Sequence, residues 1–162
     1  MPVFVLIILF VVISDVALFG ALLLLAAYSR ANRPPHVGRG RLADDGPKPN
    51  FVSSTSSAPD RSVPPLRFDD NPDEAWHRLQ EVLSQLPKTE VISSDSHYLY
   101  AQCRTPLFGF VDDLELLLNR DEKFIHVRSG SRVGRSDFGA NHKRIDNLRA
   151  AFESPPGTRS DD

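Results

Sequence analysis

The first pattern along the chain is an unbroken apolar run. Val3 to Tyr28 is 26 residues long and carries one charge, Asp15. About 20 apolar residues cross the hydrocarbon of a bilayer, so this run is long enough, with room for tilt. A secretory signal has a shorter apolar core preceded by Lys or Arg. Here the run is longer and no basic residue precedes it. Ser29-Arg30-Ala31 has the small-x-small spacing of a cleavage site, yet the length predicts an uncleaved transmembrane helix over residues 1–28. Arg30, Arg33, Arg39 and Arg41 follow the run. The positive-inside rule then places the soluble domain in the cytoplasm, with a periplasmic or extracellular placement as the alternative.

Beyond Tyr28 the pattern changes. Residues 29–48 are rich in Pro, Gly and Arg and poor in large apolar side chains, the composition of a flexible or extended linker. The next stretch is Ser/Pro-rich, punctuated by Phe51, Val52, Val63, Leu66 and Phe68, and reads as extended chain at an edge. Ala75, Trp76, Leu79, Val82, Leu83 and Leu86 then recur at helical spacing. Asn71 and Pro72 suit the start of that helix, and Pro87 ends it. Runs with a period of two follow at 89–93, 97–104, 110–119 and 123–129 and predict four strands. Alternation puts Leu99, Ala101, Cys103, Leu114, Leu116, Leu118, Ile125 and Val127 on one face. Tyr98, Tyr100, Gln102, Asp113, Glu115, His126 and Arg128 fall on the other, which reads as a wet face. A second helix is expected from an N-cap at Ser136 or Asp137 to Phe152, with Ile145, Leu148 and Phe152 as its apolar stripe. The predicted architecture is α+β: a four-stranded antiparallel sheet with two helices on one face, at residues 49–153, preceded by one transmembrane helix. Residues 154–162 are expected to form a disordered tail.

Charge and composition narrow the function. The net charge is −2 and the pI about 6.2, so the basic footprint of a nucleic-acid binder is missing. Cys103 is the one cysteine, which excludes an internal disulfide. Alternation makes it a small buried apolar residue. The five histidines form no His-x-x-x-His pair, and no metal or cofactor is expected. Asp15 is costly inside a membrane, about 2.5–3.5 kcal/mol on insertion scales. Either the surrounding Leu, Ile and Val outweigh that cost, or Asp15 pairs within a homo-oligomer or with a membrane partner. Ser14, Ala17, Gly20 and Ala21 would allow the close helix approach this needs.

The chemistry concentrates in His126 to Gly139, "HVRSGSRVGRSDFG". One reading is structural: a turn and helix cap, with arginines pairing Asp112, Asp113 and Glu115. By parity Asp112 shares the apolar face, and a buried carboxylate needs a partner, for which Arg132 or Arg144 is suited. A second reading is an anion or headgroup site lined by Arg128, Ser129, Ser131, Arg132, Arg135 and Asn141 at the helix N-terminus. A third is a hydrolase-type site built from Asp112 or Asp113, His126 and Ser131, although no Gly-x-Ser-x-Gly motif supports it.

The segments "FVDDLELLL" and "KFIHVRSGSRVGRSDFGANHKRIDNLR", with "PNFVSS" at 49–54, resemble the family called domain of unknown function 1499. The resemblance covers about residues 49–152. Family members show Cys where this chain has Phe51, so thiol chemistry at that position cannot operate here. Membership implies no activity. The expectation is a membrane-anchored, non-catalytic binding or scaffold domain, with a small anion or lipid headgroup as the ligand its loop suits and a hydrolase as the alternative.

Overall fold

The computed structural model describes residues 2–154. The tail expected from residue 154 onward lies, beyond Ser154, outside the described residues. α1 (Val3–Ala31) is 29 residues of continuous helix, long and apolar enough to cross a membrane. Its last turns are not free. Ala26 and Ser29 are buried against the domain, and the Ser29 hydroxyl, which donates to Ala26 O, accepts the N–H of Val111 at 3.2 Å.

Six strands form the sheet: β1 (Phe51–Ser53), β2 (Leu66–Arg67), β3 (Thr89–Ser94), β4 (Tyr98–Arg104), β5 (Val111–Asn119) and β6 (Phe124–Ser131). Their order is β1-β6-β5-β4-β3, with β2 also pairing β6. Every ladder is antiparallel, and one parallel bridge, Ser53 to Ser62, makes the sheet mixed. α2 (Pro72–Gln85) and α3 (Ala140–Glu153) complete the fold. The expected four-stranded sheet with two helices is thereby corrected: among the described residues there are six strands, and three helices flank them once α1 is counted. β1 and β2 escape sequence reading because they are two or three residues long and sit among Pro and Ser. Tertiary pairing with β6, not local propensity, makes them strands.

α2 and α3 cover one face. Leu79 and Leu83 of α2 and Ile145 and Leu148 of α3 are fully buried against Leu99, Ala101, Leu114, Leu116, Ile125 and Val127. Each such leucine contributes about 1.5–3 kcal/mol through burial. α2 starts as its residues dictate: Asn71 accepts the Asp73 N–H at 2.8 Å, and Pro72 opens the first turn. α3 starts later than expected. Its N-cap is Gly139, in the left-handed region at φ 79° after a left-handed Phe138, rather than Ser136 or Asp137. Asp137 still satisfies the helix end from outside, accepting the Asn141 N–H at 2.8 Å, while Ser136 accepts the Phe138 N–H.

The opposite face is not wet. Residues 33–48 fold back across it as a strap, and Val37 and Ala43 pack on Tyr98 and Tyr100. Gly38 N donates to both Tyr98 Oη and Glu115 Oε1, and Ala43 N donates to Glu115 Oε2. Within the stretch that composition marks as a flexible or extended linker, Gly38 and Ala43 thus hold to partners far along the chain.

Candidate functional site

Asp112 and Asp113 are neighbours on β5, so their side chains leave opposite faces of the sheet. Each founds a buried polar cluster. On the helix side, Arg144 meets Asp112 at 2.5 Å and donates to Ser129 and Asn141. Ser129 donates to Asn141 Oδ1, and Asn141 Nδ2 reaches Asn50 O and Ser131 Oγ. Asn50 in turn donates to the carbonyls of Ser131 and Gly134 at 3.0 and 2.9 Å. The loop after β6 is thus stitched to the chain entering β1.

On the strap side, Arg132 forks onto Asp113 with three contacts of 2.8–3.1 Å. Its remaining donors reach Tyr100 Oη at 2.9 Å and the Ser29 carbonyl of α1 at 2.8 Å. One guanidinium therefore joins the sheet to the end of the apolar helix. Glu115, fully buried, accepts from Tyr98 Oη at 2.6 Å, from the two strap amides and from Arg128 at 3.4 Å. Burial, reinforced by the hydrogen bond to Asp113, pushes the Tyr100 phenol up to about 12. Burial and Glu115 drive Tyr98 further up still. Burial opposes the charge on Arg132, but Asp113 outweighs it and its pKa rises. Near neutral pH both phenols stay protonated and donate, Tyr98 to Glu115 and Tyr100 to Asp113.

Of the residues expected to line one anion site, Arg128, Ser131 and Arg132 border one cleft, while the hydrogen bonds of the set fall on both sides of the sheet. Ser129, Ser131 and Asn141 lie in the helix-side cluster, Arg128 and Arg132 on the strap side, and Arg135 is exposed on the loop between. Arg144 takes Asp112, whereas Asp113 takes Arg132. The catalytic set is also dispersed. His126 and Ser131 are five residues apart on one strand, about 17 Å. His126 instead contacts the Ser54 hydroxyl at 3.0 Å, and that hydroxyl also accepts the Val127 N–H. Burial lowers the His126 pKa, consistent with a neutral ring in that contact. Among the described residues no cluster of His, Cys, Asp and Glu suits a metal. Asp15 is exposed on α1. Sequence reading missed Ser29 and Asn50, whose roles lie in backbone groups about 80 or more residues away. The "PN" of "PNFVSS" was the one available signal for Asn50.

Between the strap and the β1–β6 side of the sheet lies a cleft of about 240 Å³. Arg128, Arg132, Asp113, Lys48, His36 and Phe51 line it. Arg128 stacks over the Phe51 ring at 5.0 Å, and its buried Nε has no hydrogen-bond partner among the described residues.

The family model described as "Protein of unknown function (DUF1499)" matches residues 41–152. The chain belongs to this family. The match opens at Arg41, inside the strap, so the family domain takes in the Ala43 amide that holds Glu115. No curated protein matches the chain.

Proposed function

We propose that this DUF1499 protein is a non-catalytic, single-pass scaffold domain, held at a fixed attitude to its anchor helix and facing the cytoplasm. The observation that carries it is Arg132, which ties Asp113 of β5 to the Ser29 carbonyl at the end of α1. The charged groups at the centre of the domain are spent on one another, which is what a rigid mount requires. The test is a distance distribution between spin labels on exposed Val12 of α1 and exposed Glu81 of α2, in the full chain in nanodiscs. A narrow distribution that broadens in Arg132→Ala supports the rigid mount; a distribution already broad in the wild type refutes it.

A second reading has its own observation. The unpartnered Arg128 Nε in the cleft, beside Lys48, favours a small anion there. A thermal-shift screen of the full chain in detergent, with phosphates, dicarboxylates and short-chain anionic lipids, tests it. Ligand at a hundred times its Kd adds about 2.7 kcal/mol of stability. A saturable rise that Lys48→Ala weakens supports binding. No rise leaves the scaffold alone.

A further inference from the structure

The loop Thr105–Phe110, "TPLFGF", joins β4 to β5 beside α1. Its Phe108 ring packs against Phe19 of α1, with centroids 5.8 Å apart. A hydrocarbon core takes about 20 helical residues. Within Val3–Ala31, every 20-residue window from 3–22 to 12–31 contains position 19. Wherever a spanning helix sits in a bilayer, Phe19 is below the hydrocarbon boundary, and the Phe108 ring lies within 5.8 Å of it. Leu107, at the tip, is 82% exposed.

The loop's backbone is prepared for that place. In hydrocarbon an unpaired carbonyl costs several kcal/mol. The Thr105 carbonyl accepts from Gly109 N, Pro106 from Lys88 Nζ, Phe108 and Gly109 from Arg30, and Phe110 from Thr105 N. Among the described residues, every carbonyl of the loop but that of Leu107 has a hydrogen-bond donor. The donors Arg30 and Lys88 are long cations, the type that reaches from apolar surroundings to the headgroup layer. On the far side of Phe108, Phe110 continues the aromatic contact at 6.0 Å.

We propose that Leu107 and Phe108 form a second membrane anchor, inserted into the leaflet from which the domain emerges, and that the occupant of this apolar surface is the lipid of that leaflet. This rests on α1 spanning the bilayer. The test uses nitroxides at Leu107→Cys, Phe10→Cys and Phe138→Cys, all at exposed sites, in the full chain reconstituted in vesicles of phosphatidylcholine and phosphatidylglycerol. Native Cys103 is buried and stays unlabelled. Oxygen enters hydrocarbon and a nickel chelate stays in water, so the ratio of their collision rates reports depth. A ratio at position 107 several-fold above that at 138, and approaching that at 10, is the expected result. Equal ratios at 107 and 138 with a high value at 10 overturn the second anchor and leave the spanning helix intact. A low value at position 10 overturns both. Protection of position 107 from both reagents points to a protein covering the loop and also overturns the proposal.

Discussion

Arg132→Ala is the most informative single change. The side chains of Arg132 and Asp113 are 2% and 3% exposed, so solvent screens their interaction little. Removing the guanidinium leaves the Asp113 carboxylate buried, with the Tyr100 hydroxyl at 2.7 Å as its remaining hydrogen-bond donor among the described residues, and frees the Ser29 carbonyl. Breaking one side of a buried pair costs about 3–5 kcal/mol. At roughly 3–5 °C per kcal/mol for a domain of this size, the expected fall in Tm is roughly 10–25 °C. Trp76 is the one tryptophan, is buried and donates to Asp95 O, so its fluorescence follows unfolding of the full chain in detergent without a label. Adding Asp113→Asn should recover a large part of the loss, because a neutral amide can still accept from Tyr100 while no charge is left buried. The comparison is Arg41→Ala, whose partner Asp44 is a surface residue and whose pair is worth about 0–1 kcal/mol. If Arg132→Ala costs no more than Arg41→Ala, or if Asp113→Asn deepens the loss, the pair is not a buried lock and the reasoning fails.

Glu115→Ala should release the strap: hydrogen exchange at the Gly38 and Ala43 amides, slow in the wild type, should rise together while amides in the centre of β5 stay protected. His126 has a pKa lowered by burial, so the unfolded chain takes up a proton first as pH drops. The stability is fully present above about 6.5, the ordinary imidazole value, and is lost as pH falls from there through the lowered folded value; in His126→Asn the loss of Tm over that window should shrink. Burial pushes the Cys103 thiol up and leaves it 5% exposed, so thiol reagents should label it only at the rate of unfolding, and fast labelling of native protein would contradict its place in the core.

Local pattern was enough for the long elements. The unbroken apolar run, the stripe of α2 and the alternation of β4, β5 and β6 are each set by the periods of helix and strand, which a chain displays without its tertiary partners. Parity even placed Asp112 among the apolar residues of β5, where it needed a cation. What parity could not say was which cation, or that Asp113 would be buried too. A strand exposes two faces, and only the folded chain reveals what covers the second. Here residues 33–48 cover it, carrying few large apolar side chains but supplying two amides to Glu115. β1 and β2 were hidden for the same reason, since their hydrogen bonds lie on β6. The Arg-Ser loop looked like one site because its residues adjoin in sequence. Successive side chains of a strand point to opposite faces, so Ser129 bonds on the helix side, while Arg128, Ser131 and Arg132 border the cleft under the strap. Sequence determined the apolar run, the family and the strand faces; tertiary structure alone decided the strap, the partner of each buried charge, and the contact of Phe108 with Phe19.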